Sequence, residues 1–172
     1  MIIQFGLNIE DRCYPSSIQN PEKVDRFFGV QGFLSWLEKQ LGIRMPDRHD
    51  YLRIEQYRQA LALYSKIDTG AFYIPSFQSD AIGTAKAMLE RRDELLLAAW
   101  DFESKEETPA RLKVLAGIER LIKTAEDIEL YDGFAERFNR VMQLLPMLAL
   151  PLQKVYLNEP LRLLPIYLQA LF

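Results

Sequence analysis

The stretch RFFGVQGFLSWLEKQLG, residues 26–42, orders a short apolar run, a turn with glycines at Gly29 and Gly32, and an amphipathic helix. Strand, glycine turn and helix in that order can seat a phosphate on exposed backbone N–H groups. A working phosphate loop, G-x-x-x-x-G-K-[ST], also needs a lysine for the β- and γ-oxygens and a hydroxyl for magnesium. Here the glycines stand too close together, and Phe33 and Leu34 occupy the places of the lysine and the hydroxyl. A nucleoside triphosphate would find neither countercharge nor metal ligand, so the turn reads as a plain strand-to-helix connection.

Other residue patterns with chemical potential are weighed in the same way. Pro46-Asp47 followed by Glu103-Ser104-Lys105 formally matches P-D…[DE]-x-K, in which two carboxylates hold magnesium and a lysine assists the attacking water. That pattern works on adjacent strands; here two long predicted helices separate its halves. His49 and Cys13 are the only histidine and cysteine, which excludes histidine metal clusters, multi-cysteine zinc sites, an internal disulfide and a serine triad. Phe72, Tyr73, Phe77 and Trp100 could stack unpaired bases, but nearby leucines at helical spacing read as core.

Arg92 is the most informative single residue. It falls between Leu89 and Leu96 on an apolar stripe, with Asp93 bordering the same face. A guanidinium entering a core must be paired, because an unpaired buried charge costs several kcal/mol. The partner is either a carboxylate from a neighbouring helix or, in a cleft, a phosphate or a partner molecule. Arg53, Arg58, Lys86 and Arg91 are the candidate DNA contacts, read otherwise as ordinary helix-surface charges.

The elements that position these residues follow from pattern. Residues 2–5 form a short strand, and 24–28 a second one entering the glycine turn. The helix after it carries Phe33, Leu34, Leu37 and Leu41, with Glu38, Lys39 and Gln40 largely opposite, and stops at Gly42. A longer helix starts at Asp47 or Asp50 and runs to about Ile67, with Tyr51, Ile54, Tyr57, Leu61 and Tyr64 inward. Ser79 or Asp80 caps the most regular helix, 81–100, whose stripe is Ile82, Ala85, Leu89, Leu96 and Trp100. Further helices cover 109–123, from Tyr131 or Asp132 to 145, and 161–172, with a strand at 154–157.

The chain has 172 residues, of which 49% are hydrophobic, enough for a genuine core. A net charge of −3 gives no broad electrostatic footprint for wrapping nucleic acid, so any DNA contact would be local. No signal peptide or membrane span is expected, and a soluble cytoplasmic protein is the default. The apolar ending LRLLPIYLQALF suggests a chain that continues in nature.

Three stretches, GVQGFLSWLEKQLGI, RIEQYRQALALY and FYIPSFQSDAIGTAKAMLERRDELLLAAW, resemble the N-terminal region of bacterial PD-(D/E)XK nuclease family proteins, similar to the AddB-type subunit of helicase-nucleases. The family wording G-P-L-G-L-L-x-x-L-E is matched at Gly29, Gly32, Leu37 and Glu38. The wording S-F-x-x-D-P-x-x-T-A-x-x-L-L-x-x-R-D-E-L is matched at Ser76, Phe77, Asp80, Thr84, Ala85, Leu89, Arg92, Asp93, Glu94 and Leu95, with Ala81 in place of the proline and the pattern's tryptophan absent at Ile82-Gly83.

The resemblance implies an inactivated superfamily-1 helicase-like region: a remnant P-loop lobe over 1–46, an inserted helical subdomain over 47–150, and a return to the lobe over 151–172. The fold class expected is mostly α with a few short strands. The family's nuclease carboxylates and iron-sulfur cysteines would lie downstream, leaving no catalytic residue, cofactor or metal here. Gly29, Gly32, Asp80, Arg92, Asp93 and Trp100 become structural or partner-contact candidates, and DNA, a helicase or nuclease motor subunit and the rest of the same chain become the expected partners. Two other classes stay open: a helical protein-interaction domain unrelated to DNA, and a small-molecule enzyme with a cleft around Arg92.

Overall fold

The computed structural model describes residues 1–9, 24–43 and 50–172. Cys13, His49 and the Pro46-Asp47 pair lie outside the described residues. The chain is mostly helical with one small parallel sheet, and it forms two compact units. One joins Met1–Pro46 to Arg137–Phe172; the other, Asp47–Glu136, is inserted between those two segments. The return to the first unit comes at Arg137, ahead of the return expected at 151.

In the sheet unit, β1 (Ile2–Phe5) is central, flanked in parallel by β2 (Arg26–Phe28) and β3 (Lys154–Leu157). Ile3 stands opposite both Arg26 and Val155, and Phe5 opposite Phe28 and Leu157. The two-residue period of a strand places Ile3 and Phe5 on one face, and both are fully buried. Helix α1 (Val30–Gln40) follows β2 after the single residue Gly29, and buries Phe33, Leu34, Trp36 and Leu37. The Phe33 ring lies 5.5 Å from Phe5 and 5.6 Å from Phe172, centroid to centroid, so aromatic packing ties strand, helix and final residue together. Gly42, at φ +67, ends α1 in the left-handed region that L-residues avoid.

The helical unit holds α2 (Asp50–Ile67), α3 (Ile74–Ser79), α4 (Ala81–Leu97) and α5 (Ala110–Thr124). Its core is built from Tyr57, Leu61, Ala85, Leu89, Leu115 and Ile118. Tyr73 closes it beside α2, donating its hydroxyl to the Leu61 carbonyl at 2.6 Å. Helix α6 (Phe134–Leu144) spans the division between the units.

Several stripe assignments shift. Tyr51 and Ile82, expected inward, are 67% and 49% exposed. Arg53 and Met88 are buried instead. Helix α4 stops at Leu97, short of Trp100, as Ala99 and Phe102 take positive φ and reverse the chain. The helix expected over 161–172 is reduced to a 3-10 turn (Leu161–Leu163) and the short α7 (Ile166–Gln169), because Pro165 has no N–H to continue a helix across it.

Asp80 caps α4: its Oδ1 accepts from the Gly83 N–H at 2.9 Å, satisfying a donor that has no partner within the helix. Asp80→Ala should therefore lower unfolding free energy by about 1 kcal/mol, with Asp80→Asn close to neutral, as read by urea denaturation.

Candidate functional site

In the helical unit, five charged side chains from four helices meet: Arg53 from α2, Arg92 and Asp93 from α4, Glu119 from α5 and Glu136 from the start of α6. Arg92, 5% exposed, donates Nε and Nη2 to the two Glu119 oxygens at 2.7 and 3.0 Å. Its Nη1 reaches Asp93 and Glu136, so every guanidinium nitrogen has a carboxylate. Arg53 forks onto Asp93 at 2.7 and 2.8 Å, shares Glu136, and donates Nε to the Tyr131 carbonyl. Two cations and three anions leave one net negative charge.

Backbone geometry closes the cluster. The Gly133 N–H donates to Glu136 at 2.9 Å, and a Cβ on Gly133 would lie 2.4 Å from the Arg53 guanidinium carbon. Only glycine lets the chain pass so close to that fork. Burial opposes the Arg92 charge, yet Glu119 and Glu136 hold its affinity for the proton well above the ordinary arginine value. Burial likewise works to raise Glu136, but Arg92 and Arg53 outweigh it and hold the carboxyl below its ordinary 4.5.

This arrangement resolves the alternatives for Arg92: its charge is met by carboxylates of neighbouring helices. Arg53 is corrected from DNA-contact candidate to buried structural partner, for the same reason. Arg58 pairs with Glu55, which it holds down at about 2, and Arg91 pairs with Glu94 one helical turn away. Of the four candidate DNA contacts, only Lys86 projects from the surface without a recorded carboxylate partner among the described residues. Trp100 is half-buried and packs on Phe102, with centroids 4.6 Å apart, in its own unit.

The sheet unit contains a second buried pair. Glu38, expected on the outer side of α1, is 1% exposed and accepts two bonds from Arg137, at 2.7 and 2.5 Å. The three-residue apolar spacing did not reveal it, since its partner is distant in sequence. Glu119 carried a legible signal: like Arg92, it interrupts an apolar stripe, here between Leu115 and Ile122.

At the β2–α1 junction, Gly29 is the helix N-cap and its carbonyl accepts from the Phe33 N–H at 2.9 Å, while Gly32 already lies in the first helical turn. One residue between strand and helix leaves no loop to surround a phosphate. Glu103 and Ser104 line a cleft of about 470 Å³ together with Phe102, Glu119, Arg120 and Lys123; Arg92 does not line it, lying 5.8 Å from the Phe102 ring centroid. Among the described residues, no group of three or more acidic, histidine or cysteine side chains could hold a metal ion, and no helix is long and apolar enough to cross a membrane. Comparison with known protein families, with curated proteins and with solved structures found no match for this chain.

Removing one member of a buried ion cluster strands its partner. Glu119→Leu should destabilise the protein by about 3 kcal/mol, and adding Arg92→Met should recover part of that loss, as measured by urea unfolding. The Glu136 carboxyl, depressed on folding, contributes stability that is complete above pH 4.5 and lost as pH falls through its lower folded value. Glu136→Gln should therefore flatten the acid limb of the stability–pH curve.

Proposed function

We propose that this chain is a non-catalytic scaffold module, the N-terminal part of a bacterial ATP-dependent exonuclease or helicase-nuclease protein that processes DNA double-strand breaks. The observation that carries this reading is the role of the residues behind the family resemblance. Asp80 caps a helix, Ala85 and Leu89 are core, Arg92 and Asp93 tie helices together, and Leu37 and Glu38 anchor α1. Such positions preserve a shape and perform no chemistry. The β2–α1 junction, with Phe33 and Leu34 following it, offers a triphosphate no grip. The remnant helicase lobe is the sheet unit on this reading, and the helical unit is its insertion. Positioning DNA or a motor subunit is then the module's task, with catalysis supplied by other segments.

A second reading, a protein-interaction domain unrelated to DNA, is favoured by exposed apolar side chains of the sheet unit, Met147, Leu163 and Ile166, at 82%, 64% and 82%. The purified chain should neither turn over ATP nor cleave DNA with magnesium, and should retain DNA on a filter at low salt. Tight magnesium-dependent nucleotide binding would overturn the scaffold reading, and failure to retain DNA would select the second.

A further inference from the structure

Helix α5 differs in charge from the other long helices. Arg111, Lys113, Arg120 and Lys123 are exposed, and its only acid, Glu119, is buried and consumed by Arg92. None of the four cations has a carboxylate partner among the described residues: Arg111 lies over the Phe72 ring, 5.3 Å from its centroid, and Lys113 donates to the backbone carbonyl of Glu106. Arg58 and Arg91, by contrast, each pair with a glutamate on their own helix, Glu55 and Glu94. Lys113, Arg120 and Lys123, none of them in an ion pair among the described residues, give the outer side of α5 a local positive excess in a chain of net charge −3, and Arg111 adds to it at the start of the helix.

The spacing and surroundings narrow the kind of anion. Lys113 and Arg120 are two turns apart on one stripe, about 10 Å at 1.5 Å per residue, and Lys123 lies one turn beyond. Between them the Tyr64 ring covers Gly117, where a Cβ would fall 2.3 Å from the tyrosine oxygen. At one end a cleft of about 340 Å³ is lined by Tyr64, Phe72, Arg111, Lys113 and the acid Asp68. At the other lies the 470 Å³ cleft, where Arg120 and Lys123 face Asp101 and Glu103. Phe72 is 40% exposed with the Arg111 guanidinium over its ring, and this aromatic–cationic pair makes a shelf against which a base can stack. Cations in a row with an aromatic shelf suit a flexible strand with splayed bases better than a rigid duplex.

We propose that the outer face of α5 binds single-stranded nucleic acid, its phosphates on Lys113, Arg120 and Lys123 and one unstacked base on the Phe72–Arg111 shelf. This deepens the scaffold reading above, on which it rests for its biological setting, by naming the ligand and the surface. Fluorescence anisotropy of a labelled oligothymidylate with the full chain tests it. Binding should weaken linearly with the logarithm of salt concentration, and the double variant Lys113→Gln, Arg120→Gln should lower affinity at least about tenfold and flatten the salt slope by about 0.7 per lost contact. Phe72→Ala should lower affinity about tenfold, and Lys86→Gln on α4 should leave it unchanged. Far-UV circular dichroism checks that each variant is folded. Oligothymidylate binding that ignores the α5 variants, a preference for duplex, or equal competition by polyglutamate would overturn the assignment. ATP turnover by the same preparation would overturn the scaffold reading while leaving the α5 assignment intact.

Discussion

A guanidinium in a protein core must find enough carboxylate oxygens to replace the water it has lost, and that requirement organises the helical unit. Arg92 meets it with oxygens from three elements, and Arg53 fills the remaining capacity of Asp93 and Glu136. The cost of burying the charges nearly cancels the attraction between them, so the cluster adds little net stability. A forked ion pair is more demanding in direction than an apolar contact, so the cluster adds an orientational constraint to the packing of α2, α4 and α5.

The same device recurs in the sheet unit, where Glu38 and Arg137 join residues far apart in sequence through a two-pronged contact. Without that pair, the packing of helix α1 described here would be apolar: its N-terminus has no side-chain cap, and its aromatic packing on Phe5 and Phe172 has no direction as strict as a fork. Both units thus combine an ordinary hydrophobic core with buried, carboxylate-paired arginines, Arg53 and Arg92 in the helical unit and Arg137 in the sheet unit. This distribution of charge also shapes the surface. Because Glu119 is drawn inward, α5 presents cations without their usual acidic neighbour, so the internal requirement of α4 produces the positive face of α5.

Much of this was legible beforehand, for particular reasons. The strands at 2–5 and 154–157, the glycine stop at Gly42 and the cap at Asp80 depend on residues adjacent in sequence, so local pattern located them. The interruption of a stripe by Arg92 announced a buried charge in need of a partner, and the structure supplies carboxylates of neighbouring helices in place of the phosphate or partner molecule that the sequence left open. The DNA-contact candidates were less legible. Arg53 lies beside apolar residues on α2 no differently from Arg58, and only the approach of Asp93, Tyr131 and Gly133 made it internal. Arg111, Lys113, Arg120 and Lys123 carry no distinguishing signal along the chain, because a helix rich in lysine and arginine looks solvated until its acids are placed.

Composition and periodicity by themselves determined a mostly helical chain with a small set of strands, a strand-to-helix turn without a phosphate-binding side chain, and one arginine committed to the interior. Each follows from residues within a few positions of one another, where backbone geometry leaves few choices. Tertiary structure alone decided the parallel order of the strands, the choice of Glu119 and Glu136 as partners for Arg92, the burial of Glu38 and the exposed cationic face of α5. These outcomes depend on which distant segments approach, and a carboxylate's neighbours in space are not encoded in its neighbours along the chain.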